Sequence, residues 1–289
     1  MVGCRGGRAT LGASILSRPR RNLGNQLDHA VRAAVVTVGR RSSIASLAAA
    51  PLVLGVSPGA GQSREGRSSN IVELRQYTLR GGQRDRLIRL FEREFIVPQA
   101  AVGAPVLGVY RDLDDPDRFV WLRGFDTMDQ RASALSAFYD GPVWRAHRDE
   151  ANATMIDSDN VLLLRRSAGS AAALAPSAIV TANIHYLSRT DAREFTSFFQ
   201  TRLLPRLSAA GATPLWILCS EPAPNSFPRL PVREGEPVFV WFSRWRTQSE
   251  LARFDDRWSR CSGWRDDATA DLLPALMRKP ERLRLQPVI

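Results

Sequence analysis

Hydrophobic and polar residues alternate from Ile71 to Leu79 (Ile-Val-Glu-Leu-Arg-Gln-Tyr-Thr-Leu), the period of a half-buried strand. Gly81-Gly82 breaks it. From Asp85 to about Val97, Leu87, Ile88, Leu90, Phe91 and Phe95 recur at helical spacing, and Pro98 closes the helix. Val106–Arg111 and Phe119–Phe125 read as strands around the turn Asp112–Asp117. Asp129–Phe138 reads as a helix. Gly141-Pro142 then interrupts before a helical piece from Trp144 to Asn152, and Val161–Leu164 is a short last strand. The order β-α-β-β-α-β is the ferredoxin-like unit.

The same pattern occurs twice. At an offset of 108, Ile71-Val72 falls on Ile179-Val180, Phe91 on Phe199, and Ala101-x-Gly103-Ala104 on Ala209-x-Gly211-Ala212. Further on, the offset is 120: Val120-Trp121 falls on Val240-Trp241, Thr127 on Thr247, and Trp144-Arg145 on Trp264-Arg265. A repeat of this size is a duplicated domain. The second copy reads as strands 179–187, 215–219, 238–245 and 282–286, helices 192–207 and 249–258, and a helical piece after Gly263. The extra length falls in the proline-rich connection from Ser220 to Gly235, and loops absorb insertions at small cost. The organisation expected is a targeting or disordered head at 1–68, domain 1 at 69–166, an Ala/Ser/Gly/Pro-rich linker at 167–178 and domain 2 at 179–289. The fold class is α+β: two tandem ferredoxin-like units in a dimeric α/β-barrel arrangement, closed within one chain or paired between chains as a homo-oligomer.

Composition changes the picture mainly at the head. The formal net charge is +11, but residues 1–68 hold ten Arg against only Asp28 and Glu65. The rest is nearly balanced, which argues against a nucleic-acid partner. Arg40-Arg41, the apolar run Ile44–Val56 and the small residues Ser57–Gly61 resemble a secretory signal spanning 36–61. Thirteen apolar residues are too few to span a bilayer, so no integral membrane segment is expected. Export to the periplasm is the expected location. A mitochondrial presequence or a cytoplasmic protein with a disordered tail are the alternatives. Cys4, Cys219 and Cys261 match no metal pattern, and His29, His147 and His185 are too few for a histidine cluster. No metal and no cofactor are expected. His147 lies in a charged run unsuited to haem, and there is no GxGxxG, P-loop or nucleophile elbow.

Glu73-Leu-Arg-Gln-Tyr-Thr-Leu79, Gly82, Phe119-Val-Trp-Leu-Arg-Gly-Phe125, Asp129-Gln-Arg131 and Pro142-Val-Trp144 together resemble the NIPSNAP family of dimeric α/β-barrel domains. The resemblance covers 71–166 well and 179–286 more loosely. The second copy carries Thr181-Ala-Asn183-Ile-His185 in place of Glu-x-Arg-x-Tyr. The layout resembles tandem chains of bacterial origin. The resemblance implies two sheets facing each other around a barrel interior. It implies little about activity, since fold does not decide among chemistries.

Strand parity selects candidate site residues. Val72, Leu74 and Gln76 share one face of the first strand, while Glu73, Arg75 and Tyr77 share the other. The expectation is that the apolar face packs on helices and the polar face lines the barrel. Trp121 and Arg123 would neighbour Arg75 and Tyr77, with Asn183, His185 and Trp241 completing the cavity from the second copy. Arg75 and Arg123 offer fork-shaped donors for a carboxylate or enolate, and Tyr77, Trp121 and Trp241 offer flat walls. His185 and Glu73 are the proton-transfer candidates. The plainer reading is a cross-strand ion-pair network with a structural histidine; Trp144 and Trp264 read as plugs of the helix corner. The expected function is binding of a small hydrophobic acid or carbonyl compound. The alternatives are a cofactor-free cyclase, isomerase or monooxygenase on the same cavity, or a protein-interaction role.

Overall fold

The computed structural model describes residues 69–169, 178–188, 192–261 and 275–288. The expected head at 1–68 lies outside them, as do most of the expected linker, Trp264 and the helical piece after Gly263.

The first half runs β1 (Ile71–Leu79), α1 (Arg84–Leu90), a wide π-turn (Phe91–Phe95), α2 (Ile96–Ala101), β2 (Val106–Asp112), β3 (Arg118–Phe125), α3 (Met128–Tyr139), α4 (Pro142–Thr154) and β4 (Met155–Gly169). The second repeats it: β5 (Ile179–Tyr186), α5 (Ala192–Phe198), a π-turn (Phe199–Leu203), α6 (Leu204–Ala210), β6 (Pro214–Ser220), β7 (Val238–Trp245), α7 (Gln248–Ser259) and β8 (Glu281–Pro287). The π-turns stand at the same place in each repeat, just ahead of Pro98 and Pro205. Proline lacks an N–H and crowds the carbonyl four residues earlier, so the turn before it widens. The helix therefore does not stop at Pro98, as the proline suggests, but runs on to Ala101. The repeated Ala-x-Gly-Ala ends it: Gly103 and Gly211 take φ of 91° and 106°, and the amides of Ala104 and Ala212 return to the carbonyls of Gln99 and Leu207, both at 2.9 Å.

The eight strands close into a barrel in the order β1-β3-β2-β8-β5-β7-β6-β4, every pairing antiparallel. Each half supplies four neighbouring strands in ferredoxin-like order, and the halves join at β2–β8 and β4–β6. The barrel thus closes within one chain. β4 is much longer than the expected 161–164. Its first part pairs with β1, and residues from Leu164 to Gly169 cross to β6, so it also occupies the first residues of the expected linker.

The interior overturns the parity expectation. Val72, Leu74, Val120, Leu122, Leu162, Leu164, Val180, Ala182, Ile184, Leu218, Val240, Phe242, Leu283 and Leu285 form one buried cluster with Tyr110, Tyr186, Trp216 and Val238. All eight strands contribute and no helix does. The apolar face therefore fills the barrel. Tyr77 and Trp121 pack instead with Leu87, Ile88, Phe91 and Phe95 of the covering helix, and Trp241 packs with Phe195, Phe199 and Leu203. Both faces of each strand are buried, and a sheet covered on each side needs apolar residues on both. The side that carries the charges is then not decided by polarity.

Candidate functional site

β1 and β3 align Glu73 with Arg123 and Arg75 with Trp121, so the helix-facing residues of two strands form one plane beneath α1 and α3. Glu73 is fully buried and surrounded by three guanidiniums. Arg75 Nη1 donates to its Oε2 at 2.8 Å. Arg123 donates to Oε2 through Nη2 at 2.6 Å and Nε at 3.1 Å. Arg131, on α3, donates through Nε to Oε1 at 2.7 Å, with Nη2 also 2.7 Å away. Burial alone would push the Glu73 carboxyl up. The charges of Arg123, Arg75 and Arg131 outweigh it and hold the carboxyl far below the usual carboxylate range. Burial pushes Arg131 down, and the carboxylate offsets only part of this.

Three further donors reach neutral partners. Arg75 Nε donates to the Tyr77 hydroxyl at 2.8 Å, Arg123 Nη1 to Gln99 Oε1 at 2.9 Å, and Arg131 Nη1 to Asn225 Oδ1 at 2.9 Å and Ser226 Oγ at 3.1 Å. Rings complete the layer. The Trp121 ring has Arg75 at 5.5 Å and Arg123 at 5.1 Å, and its Nε1 is buried without a partner. Phe91 meets it edge-on at 4.6 Å. Cation–π contact compensates part of the surplus charge, but three buried cations still face one buried anion.

The structure thus brings Glu73, Arg75, Tyr77, Trp121 and Arg123 together and leaves Asn183, His185 and Trp241 apart. The latter belong to the second helix-covered layer, on the other half of the barrel wall. The expected single cavity spanning both copies is not formed, because the packed interior lies between them. In the second layer charge is absent where the first has it: Thr181 replaces Glu73, Asn183 replaces Arg75, Ser243 replaces Arg123 and Leu251 replaces Arg131. Trp245 Nε1 donates to Thr181 Oγ1 at 3.0 Å and Trp241 Nε1 to His185 Nε2 at 3.2 Å. Burial pushes His185 down to about 4, so the ring is neutral near pH 7. Asn183 is half-buried.

Arg131, Gln99, Asn225 and Ser226 were missed as site residues. Arg131 was legible: it precedes Ala134, Leu135 and Phe138 by three, four and seven positions, so it lies on the buried stripe of its helix. Gln99 follows Phe95 by one helical turn. Asn225 and Ser226 carry no such signal, since their approach depends on the path of a loop. Elsewhere, Trp144 packs at the helix corner against Tyr139 at 4.9 Å and Phe95 at 5.8 Å. His147 pairs with Glu94 at 3.3 Å. Cys219 and Cys261 are free and half-buried. Among the described residues no His/Cys/Asp/Glu group could hold a metal ion, and no helix is long and apolar enough to cross a membrane.

Fold and site define a single-chain barrel of two ferredoxin-like units with an arginine-rich layer on one unit only. Residues 72–170, the half that carries this layer, match the NIPSNAP family model. No curated protein matches the sequence. Among solved structures, a protein of Fusobacterium nucleatum whose name suggests a monooxygenase aligns at 8% identity over 76% of this chain and 92% of its own, with a TM-score of 0.52. An anthrone oxidase-like protein aligns at 11% over 77% and 93%, with a TM-score of 0.54. A NIPSNAP family protein of Agrobacterium tumefaciens aligns at 24% over 32% and 90%, with a TM-score of 0.30. The first two share the fold of the whole barrel.

Proposed function

We propose that the protein binds one small hydrophobic acid or carbonyl compound per chain, in the layer between sheet and helices of the first half. The observation that carries this reading is the charge surplus: Arg75, Arg123 and Arg131 make their buried ion pairs with Glu73, and Asp159, half-buried, is a further carboxylate that feels Arg75. Buried charges are retained when paired, and an anionic ligand group would supply the missing countercharge. Trp121, Tyr77 and Phe91 offer the ring surfaces that an apolar or aromatic body needs. The absence of these charges from the second layer supports one site rather than two.

The binding reading is preferred to a cofactor-free enzyme. A general base works best with a pKa near the operating pH. Glu73 is held far too acidic, and His185, pushed to about 4, is a weak base whose Nε2 already accepts from Trp241. For the head, the signal-like pattern at 36–61 supports export; an intact mass from the native host that begins near residue 60 is expected, and a mature terminus at Met1 would refute export. Binding is tested by native mass spectrometry of the protein purified from its host. A complex carrying one small acid per chain is expected, with the adduct lost in Arg75→Met. An adduct that persists in Arg75→Met would count against this site.

A further inference from the structure

The connection between β6 and β7 is where the second repeat outgrows the first, and it does not stand off as a free loop. It crosses to the first half. Glu221 N donates to Leu163 O at 3.0 Å and Arg233 N to Val161 O at 2.9 Å. Phe227 and Leu230 are buried with Ile71, Phe125, Ala134, Leu135 and Leu163. Phe227 stacks on Tyr139 at 6.0 Å, and Arg229 pairs with Asp140 at 2.8 Å. This strap sets two neutral acceptors, Asn225 Oδ1 and Ser226 Oγ, on a nitrogen of the arginine cluster that does not face Glu73, Arg131 Nη1. Both are themselves fixed: Ser226 Oγ donates to Met128 O at 3.0 Å, Asn225 Nδ2 donates to Leu230 O at 2.9 Å, and Asn225 Oδ1 accepts from Phe227 N at 3.0 Å.

Two neutral oxygens beside a guanidinium mark a position that a carboxylate would fill with stronger, charge-assisted bonds. We propose that Asn225 and Ser226 are a gate that determines specificity. They hold Arg131 in place and yield its Nη1 to the carboxylate of the ligand, so that an acid is selected over its neutral amide. This rests on the reading that the first-half layer binds a small acid. It narrows the ligand class to carboxylates and makes the strap, contributed by the second repeat, part of the site of the first. Asn225 and Ser226 act through Arg131 and are positioning residues.

The test is calorimetric titration of the full chain with benzoate and with benzamide as its neutral isostere. Removing the competing acceptors in N225A/S226A is expected to open Arg131 Nη1 to the neutral amide as well, tightening benzamide about fivefold to tenfold, the value of a hydrogen bond gained, and benzoate by less, so that the preference for the acid narrows. Asn225→Asp fixes a carboxylate against Arg131 and is expected to weaken benzoate at least about tenfold while the melt stays cooperative. A strap that serves only as packing would let Asn225→Asp bind benzoate as wild type does, and that result overturns the gate. Should N225A/S226A not fold, Asn225→Asp alone decides. Benzoate binding that Arg75→Met weakens but neither strap variant alters overturns the gate alone. No benzoate binding by wild type overturns the gate and the acid-binding reading together.

Discussion

At the scale of residues, the molecule buries polar groups in two ways. Glu73 is over-compensated by three guanidiniums, whereas Gln76 is left alone. Gln76 points into the apolar barrel interior with both amide atoms buried and unpaired. An unsatisfied buried group costs about 1–3 kcal/mol, so Gln76→Met should stabilise the fold by about that amount in urea titrations; an unchanged or lowered midpoint would show that the amide is satisfied in solution. His185 gives a pH test. The unfolded chain takes up a proton near pH 6.5, which the folded chain refuses until about pH 4. Stability from the neutral ring is therefore complete above pH 6.5 and is lost as pH falls through that window, by an amount on the order of 3 kcal/mol. His185→Gln should flatten the stability profile between pH 6.5 and pH 4. Glu73 acts lower: its folded pKa is depressed, so its contribution is present above the ordinary carboxylate range and is lost below it. A His185→Gln profile that still falls steeply between pH 6.5 and pH 4 would refute the assignment to His185. Much of this scale was legible in sequence. Glu73, Arg75, Tyr77, Trp121 and Arg123 stand out as one polar stripe; what alternation could not tell was which side of the sheet they face.

At the scale of elements, the strands and helices follow their hydrophobic periods closely, and the departures have local causes. Pro98 and Pro205 widen a helical turn instead of ending the helix. β4 outruns its apolar core of Val161–Leu164 because it must pair on two sides, and a partner in the other repeat leaves no mark in the local pattern. β2 shows a further constraint. A register shift occurs between Val106 and Gly108, and the Tyr110 ring folds back over Gly108. A Cβ there would lie 2.6 Å from Tyr110 Cζ and 2.7 Å from Cε2, inside contact distance with a fully packed interior. Gly108→Ala should destabilise by about 1–3 kcal/mol, the usual cost of overpacking, and Tyr110→Leu in the same chain should recover part of it. Equal stability of Gly108→Ala and wild type in thermal melts would show that the ring has room to move.

At the scale of the whole molecule, duplication gives a closed barrel with no exposed sheet edge, and the two outer layers have since diverged. The repeat at offsets 108 and 120 made the architecture legible, because two copies of one βαββαβ pattern leave few ways to bury both sheets. It also showed the chemical asymmetry, Glu-x-Arg-x-Tyr against Thr-x-Asn-x-His. The location of the site was not legible, since it depends on which face meets the other copy. The docking of the 221–237 strap across the halves was hidden for the same reason. The most direct measurement is a titration of wild type and Arg75→Met with benzoate. Glu73 keeps Arg123 and Arg131 when Arg75 is removed, so the variant retains a paired carboxylate and a folded layer. The expected result is one site per chain, weakened in Arg75→Met by about 1.5–3 kcal/mol, the range for a hydrogen bond to a charged group. Two equivalent sites per chain, or an affinity indifferent to Arg75, would contradict a single acid site in the first-half layer.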